Sequence, residues 1–152
     1  MKNALVILAG GKGRRFGQKI PKQFYKKDGK TIIDIFLSNL ETNIFNYIVI
    51  SIHAKYVGFI KSNINYKKNK EKFIFAKPGK TRQGSSYNAL KKICNNKIKN
   101  VLIHDSARPF CSNNLFKKIL KKLKQNNNCI PYVEYNDRHI KKISKEDTKT
   151  LN

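Results

Sequence analysis

The chain has 152 residues, 39% of them hydrophobic, and a formal net charge of +24 at pH 7. That length fits one domain around one core, and no apolar run is long enough to span a membrane. Three cysteines without a C-x-x-C pair exclude a complete disulfide framework, so Cys94, Cys111 and Cys129 read as small buried or half-buried thiols.

The charge raises nucleic-acid binding as a function. The lysines, however, are scattered over every expected helix and loop rather than gathered in one block. Lys, Asn and Ile dominate and share A/T-rich codons, so low-GC coding accounts for them, and no specific nucleic acid is expected as a partner. A basic surface still draws in small polyanions.

In chain order, residues 4–8 form a continuous apolar run that ends in glycines, as a central parallel strand does. The run resembles an export signal, but Lys12, Arg14 and Arg15 follow it at once, which predicts a buried strand in a cytoplasmic protein. Ile32, Ile33, Phe36, Leu37 and Leu40 recur at helical spacing. Residues 47–52 are β-branched and predict a second strand. Residues 55–64 predict a weaker helix with Val57, Ile60 and Ile64 on one side, and 72–76 a third strand. Residues 85–93 predict a helix that turns Ala89, Leu90 and Ile93 inward. A fourth strand is expected over 101–104. Ser112 can cap a helix whose buried stripe is Leu115, Phe116, Ile119, Leu120 and Leu123. Residues 129–133 predict a fifth strand and 140–143 a sixth, and the polar stretch 144–152 closes nothing.

Alternating strands and helices imply an α/β fold with a mainly parallel sheet, whose ligands bind at the carboxyl ends of the strands. Three loops are singled out: those after Leu8, Ala76 and His104. The first reads Ala9-Gly10-Gly11-Lys12-Gly13-Arg14-Arg15-Phe16-Gly17. Its glycines let backbone N–H groups approach phosphate oxygens, and its arginine forks match them. It is not a Walker A loop, and Phe16 stands where G-x-G-x-x-G needs its third glycine. A purely structural tight turn is the competing reading.

Pro21-Lys22-Gln23-Phe24 follows, where the proline fixes the backbone ahead of the lysine. Pro78-Gly79-Lys80-Thr81-Arg82-Gln83-Gly84-Ser85 opens a helix, whose free N–H groups favour anions. Its hydroxyls serve equally well as caps. His104-Asp105-Ser106-Ala107-Arg108-Pro109-Phe110 places an aspartate at a strand end, where a sheet enzyme holds Mg²⁺. A turn cap paired with Arg108 is the alternative. His53 and His139 are isolated, and His104 lacks the spaced partners of a zinc site.

These four motifs in this order resemble the methylerythritol phosphate cytidylyltransferases of isoprenoid synthesis, over nearly the whole chain. The related ribitol 5-phosphate cytidylyltransferases share the Gly-Gly-Lys-Gly loop, Pro-Lys-Gln-Phe and His-Asp-Ser. Thr81-Arg82-Gln83-x-Ser85 and Ser106-Ala107-Arg108 favour the isoprenoid enzymes.

The resemblance implies a three-layer αβα sandwich around a Rossmann-like, mainly parallel sheet of the nucleotidyltransferase type. It implies transfer of CMP from CTP with Mg²⁺ as cofactor. Arg15 and Lys22 match the catalytic cations. Ala9, Gly10, Gly11 and Gly13 match the loop around the triphosphate. Gly79, Lys80 and Ser85 fall at the cytidine, with Lys80 replacing an acidic or small residue and Pro78 a glycine. Asp105 matches the metal ligand, and Ser106 beside it falls in the nucleotide site. In place of an Asp-Thr pair before a Lys, which contacts the polyol phosphate, the chain reads Asn136-Asp137-Arg138-His139-Ile140-Lys141.

The family also continues with a Gln-Thr-Pro-Gln segment, a second metal-binding aspartate, a further catalytic lysine and homodimer contacts. The expectation is therefore one nucleotidyltransferase domain over 1–152 without its C-terminal part. Such a chain either turns over slowly or survives as a catalytically dead nucleotide-binding fragment.

Overall fold

The computed structural model describes residues 2–13, 17, 20–125 and 128–132. Four parallel strands make one sheet: β1 (Lys2–Leu8), β4 (Tyr47–Ser51), β5 (Phe73–Ala76) and β6 (Ile98–Asp105), in the order β5-β4-β1-β6. Ala4, Leu5, Val6 and Ile7 are fully buried, because β1 is paired on both edges and covered on both faces. This is why its sequence is apolar throughout rather than alternating.

Two cores follow from the strand period of two. Leu5, Ile7, Ile48 and Ile50 face α1 (Ile32–Asn39), α2 (Val57–Lys61) and α5 (Asn113–Leu123), through Ile33, Phe36, Leu37, Ile60 and Phe116. Ala4, Val6, Val49 and Ala76 face α4 (Arg82–Lys91), through Ala89. The layers are thus helix, sheet and helix. The fold is the α/β sandwich expected.

The expected Ser112 cap is present, its hydroxyl accepting from Leu115 N at 3.2 Å. The expected helix over 55–64 is instead broken into α2 and α3 (Ile64–Lys68). Asn63 is the cause. Its carbonyl oxygen caps Asn65 N, and its amide donates to Asp34 Oδ1 at 2.6 Å. A short antiparallel hairpin, β2 (Lys26–Lys27) and β3 (Lys30–Thr31), was not expected. Asp28 and Gly29 turn it, both at positive φ (52° and 76°). The expected fifth strand is corrected: residues 129–132 form no strand, and Ile130 and Tyr132 are about 80% exposed. Pro131 removes a ladder N–H from the middle of that run. Val133 and the expected sixth strand lie outside the described residues.

Candidate functional site

One cleft of about 750 Å³ opens at the carboxyl ends of the strands. Its walls come from the end of β1 (Leu8) and the loop after it (Gly10–Gly13), the turn after β4 (His53), the start of α4 with the residues before it (Pro78–Arg82, Ser85) and the end of β6 (Asp105). Three of the four sequence motifs therefore meet here. They do so because parallel strands deliver their following loops to the same edge of the sheet.

Backbone demands explain the glycines at two positions. Gly13 adopts φ +61°, and a Cβ there would meet Lys22 N at 3.2 Å. A Cβ on Gly10 would lie 2.2 Å from Pro78 Cβ, so the loops after β1 and β5 touch backbone against ring.

The loop after β1 is clamped from beneath. The buried Gln23 amide donates to Ala9 O at 2.8 Å and to Gly11 O at 2.9 Å. Phe24, next in sequence, is buried and stacks on Tyr56 with ring centroids 4.4 Å apart. The Pro-Lys-Gln-Phe motif thus anchors the loop in the core. The sequence signal for this clamp is the motif's glutamine, Gln23, rather than its lysine.

At α4, Thr81 Oγ1 accepts from Gly84 N at 3.0 Å. Ser85 Oγ accepts from Gly79 N at 3.0 Å and donates to Thr81 O at 2.9 Å. Ser85 lines the cleft, yet its hydroxyl is already engaged in holding Gly79 against the helix.

The cleft is basic. Lys12, Lys80 and Arg82 line it, and Asp105 is the acidic side chain among its lining residues. Arg82 Nε and Nη2 both lie 3.3 Å from Asp105 Oδ1, and Arg108 Nε lies 3.7 Å from Oδ2. His104, just before Asp105, is buried and stacks on Phe36 with centroids 4.4 Å apart. Its Nε2 lies 3.1 Å from Arg108 O, an acceptor, so the proton sits on Nε2. Burial lowers its pKa below the ordinary 6.5, against the Arg108 carbonyl and the Asp105 charge, which raise it. His104 is therefore a neutral strut beneath the Asp105 turn.

Of the candidate residues, Gly10, Gly11, Gly13, Gly79, Lys80, Ser85 and Asp105 line this one cleft. Ala9 and Ser106 are buried and do not line the cleft. Their N–H groups donate to Ser51 O at 2.8 Å and Leu8 O at 3.2 Å, extending the sheet ladders. Lys22 is exposed beside the Gly13 backbone, outside the cleft lining. Arg15 and the 136–141 stretch lie outside the described residues. His53 and Arg82 line the cleft although neither was given a role from the sequence.

Among the described residues, no three of His, Cys, Asp and Glu are grouped as metal ligands. Mg²⁺ needs no such cage: it keeps several waters and takes one or two carboxylates together with substrate phosphates. Asp105, on the cleft wall, fits that role. No helix among the described residues is long and apolar enough to cross a membrane.

A glycine loop, a helix start and a strand-end aspartate around one basic cleft define an α/β protein of the nucleotidyltransferase type. The fold agrees with the crystal structure of a 4-diphosphocytidyl-2C-methyl-D-erythritol synthase from Anaerococcus prevotii. The TM-score is 0.66 and the identity 24%, over 82% of this chain and 52% of that one. A bifunctional IspDF from Campylobacter jejuni superposes with a TM-score of 0.58 at 26% identity, over 82% of this chain and 31% of that one.

The chain belongs to the IspD family, 2-C-methyl-D-erythritol 4-phosphate cytidylyltransferase, whose model matches residues 3–149. It is 39% identical over 145 residues to a bifunctional IspD/IspF enzyme of Pelagibacter ubique, covering 95% of this chain and 38% of that protein. It is 34% identical over 125 residues to a 2-C-methyl-D-erythritol 4-phosphate cytidylyltransferase of Thermotoga neapolitana, covering 81% of this chain and 54% of that protein. The chain thus spans about half or less of the length of these relatives.

Proposed function

We propose that the chain forms the CTP-binding part of a cytidylyltransferase that moves CMP from CTP onto 2-C-methyl-D-erythritol 4-phosphate and releases pyrophosphate. The observation that carries this reading is the meeting of three separate motifs in one basic cleft, in a chain of this family. The family model and the Thermotoga relative carry the name of methylerythritol phosphate, which favours it over ribitol 5-phosphate as acceptor.

In the proposed reaction an acceptor phosphate oxygen bonds to the α-phosphorus of CTP. The bond from that phosphorus to the bridging oxygen breaks, and pyrophosphate leaves with the electron pair. Negative charge grows on the α-phosphoryl oxygens, so fixed cations there lower the barrier. Arg15 and Lys22 take that role by family resemblance, and Lys22 adjoins the loop at Gly13. The backbone N–H groups of Gly10, Gly11 and Gly13 cradle the triphosphate, and the Gln23 clamp holds that loop in shape. Ala9 and Ser106 set the backbone on either side. Gly79 and Lys80 receive the cytidine, and Ser85 fixes Gly79. Asp105 is the residue that would hold Mg²⁺, which would supply positive charge to offset that of the phosphates. The same reading places the reaction in the cytoplasm and makes the full-length protein a homodimer.

The test is pyrophosphate release from CTP with Mg²⁺, offering methylerythritol phosphate and ribitol 5-phosphate separately to this chain and to the gene's full reading frame. Release with methylerythritol phosphate is expected. Release with ribitol phosphate alone transfers the protein to the teichoic acid relatives. No release with either acceptor from either product, with CTP still bound, leaves a catalytically dead nucleotide-binding protein.

A further inference from the structure

Asp105 does not wait unengaged for a cation. Two nitrogens of Arg82 lie 3.3 Å from its Oδ1, while Arg108 faces Oδ2 from 3.7 Å. Arg82 and Asp105 come from different walls, the first residue of α4 and the last of β6, and both line the cleft. The pair therefore bridges the space in which a nucleotide would sit. It is also exposed: the side chains are 62% and 38% accessible, so the bridge is weak.

We propose that Arg82 is a positioning residue that couples nucleotide binding to metal binding by exchanging partners. The inference rests on the CTP-binding function proposed above. Before the nucleotide arrives, Arg82 occupies Asp105 Oδ1 and competes with a divalent cation for it. A triphosphate in the cleft offers the guanidinium a better partner, because phosphate oxygens match its fork and carry more charge. Arg82 then turns to the phosphates, and the Asp105 carboxylate is released to the cation that arrives with them. Metal alone is opposed, while metal with nucleotide is favoured. By linkage each ligand raises the affinity for the other through the same residue. The weakness of the exposed pair suits this role, since it opens readily yet biases the empty cleft.

The experiment measures Mn²⁺, in place of Mg²⁺, by the paramagnetic resonance signal of the free ion. It uses the full chain and its Arg82→Gln, Arg82→Lys and Asp105→Asn variants, with and without CTP, after thermal melting has shown each to be folded. Without CTP, Arg82→Gln is expected to bind Mn²⁺ about twofold to fivefold tighter than the unsubstituted chain. It is expected to bind CTP about tenfold more weakly, the loss of a charged hydrogen bond. The mutual enhancement between Mn²⁺ and CTP should shrink toward none, with Arg82→Lys in between. Asp105→Asn should lose the metal-alone site. A purely structural Arg82 would weaken both ligands when replaced and could not tighten the metal. Unchanged or weaker Mn²⁺ binding by Arg82→Gln, while the unsubstituted chain binds CTP, overturns this inference and leaves the proposed function standing. Failure of the unsubstituted chain to bind CTP overturns both.

Discussion

Gly10 and Pro78 belong to loops that follow β1 and β5, strands that are not neighbours in the sheet, since β4 lies between them. The two loops meet above the end of β4, where a Cβ on Gly10 would stand 2.2 Å from Pro78 Cβ and 3.0 Å from Cγ. Real atoms do not approach so closely, so Gly10→Ala must push the loops apart, at a cost of about 1–3 kcal/mol. Pro78→Gly removes both offending atoms. It should recover most of that loss in the double variant, although alone it costs roughly 0.4–1 kcal/mol through the freer unfolded chain. Urea unfolding of the four chains closes the cycle, and simple additivity would show that the contact is not the cause. The sequence placed each residue in the correct loop but not against the other, because the meeting depends on strand order. The Arg82–Asp105 bridge escaped for the same reason: it joins the start of α4 to the end of β6, segments brought together only by the sheet.

Elements with a strong period were legible. The apolar run of β1, the stripe of α5 and its Ser112 cap stand close to where the sequence put them. What failed were runs whose ends depend on single side chains. Asn63 splits an apparently continuous helix by capping a new one, and Pro131 spoils an otherwise strand-like stretch. The Asp28-Gly29 turn carried a hairpin signal that went unread between two lysine-rich pairs. At this scale His104 matters most, because it joins β6 to α1 and α5 through Phe36 and Phe116. Burial holds its folded pKa below the ordinary 6.5, so between those two values the unfolded chain binds more protons. Its contribution is fully present above about pH 6.5 and is lost as pH falls toward the folded value. Unfolding measured across pH 7.5 to 5 should show stability declining below about 6.5, and His104→Gln should flatten that decline. An unchanged slope in the variant would assign the decline to other groups.

For the whole molecule, charge separates site binding from general attraction. With 33 basic and 9 acidic residues, most cations have no opposite charge to meet. Among the described residues the ion pairs are Arg82–Asp105, Arg108–Asp105 and Lys117–Glu41, all partly exposed. Such pairs add little, whereas like-charge repulsion is summed over the entire folded surface. α5 shows the imbalance locally, with Lys117, Lys118, Lys121 and Lys122 in one short helix. Raising salt from about 0.01 M to 0.1 M shortens the screening length from about 30 Å to about 10 Å, which quenches long-range repulsion and leaves contact pairs largely intact. The thermal midpoint should therefore rise with salt, by roughly 2–4 °C for each kcal/mol of repulsion relieved. A midpoint that falls instead would mean that attractive pairs outweigh the repulsion. Over the same range, attraction to nucleic acid should collapse without sequence preference, as counterion release requires of contacts made by charge alone. Under the proposed function CTP is held by loop N–H groups and a shaped cleft as well as by charge, so its affinity should decline far less. Equal loss of both would reduce the cleft to one more patch of a basic surface.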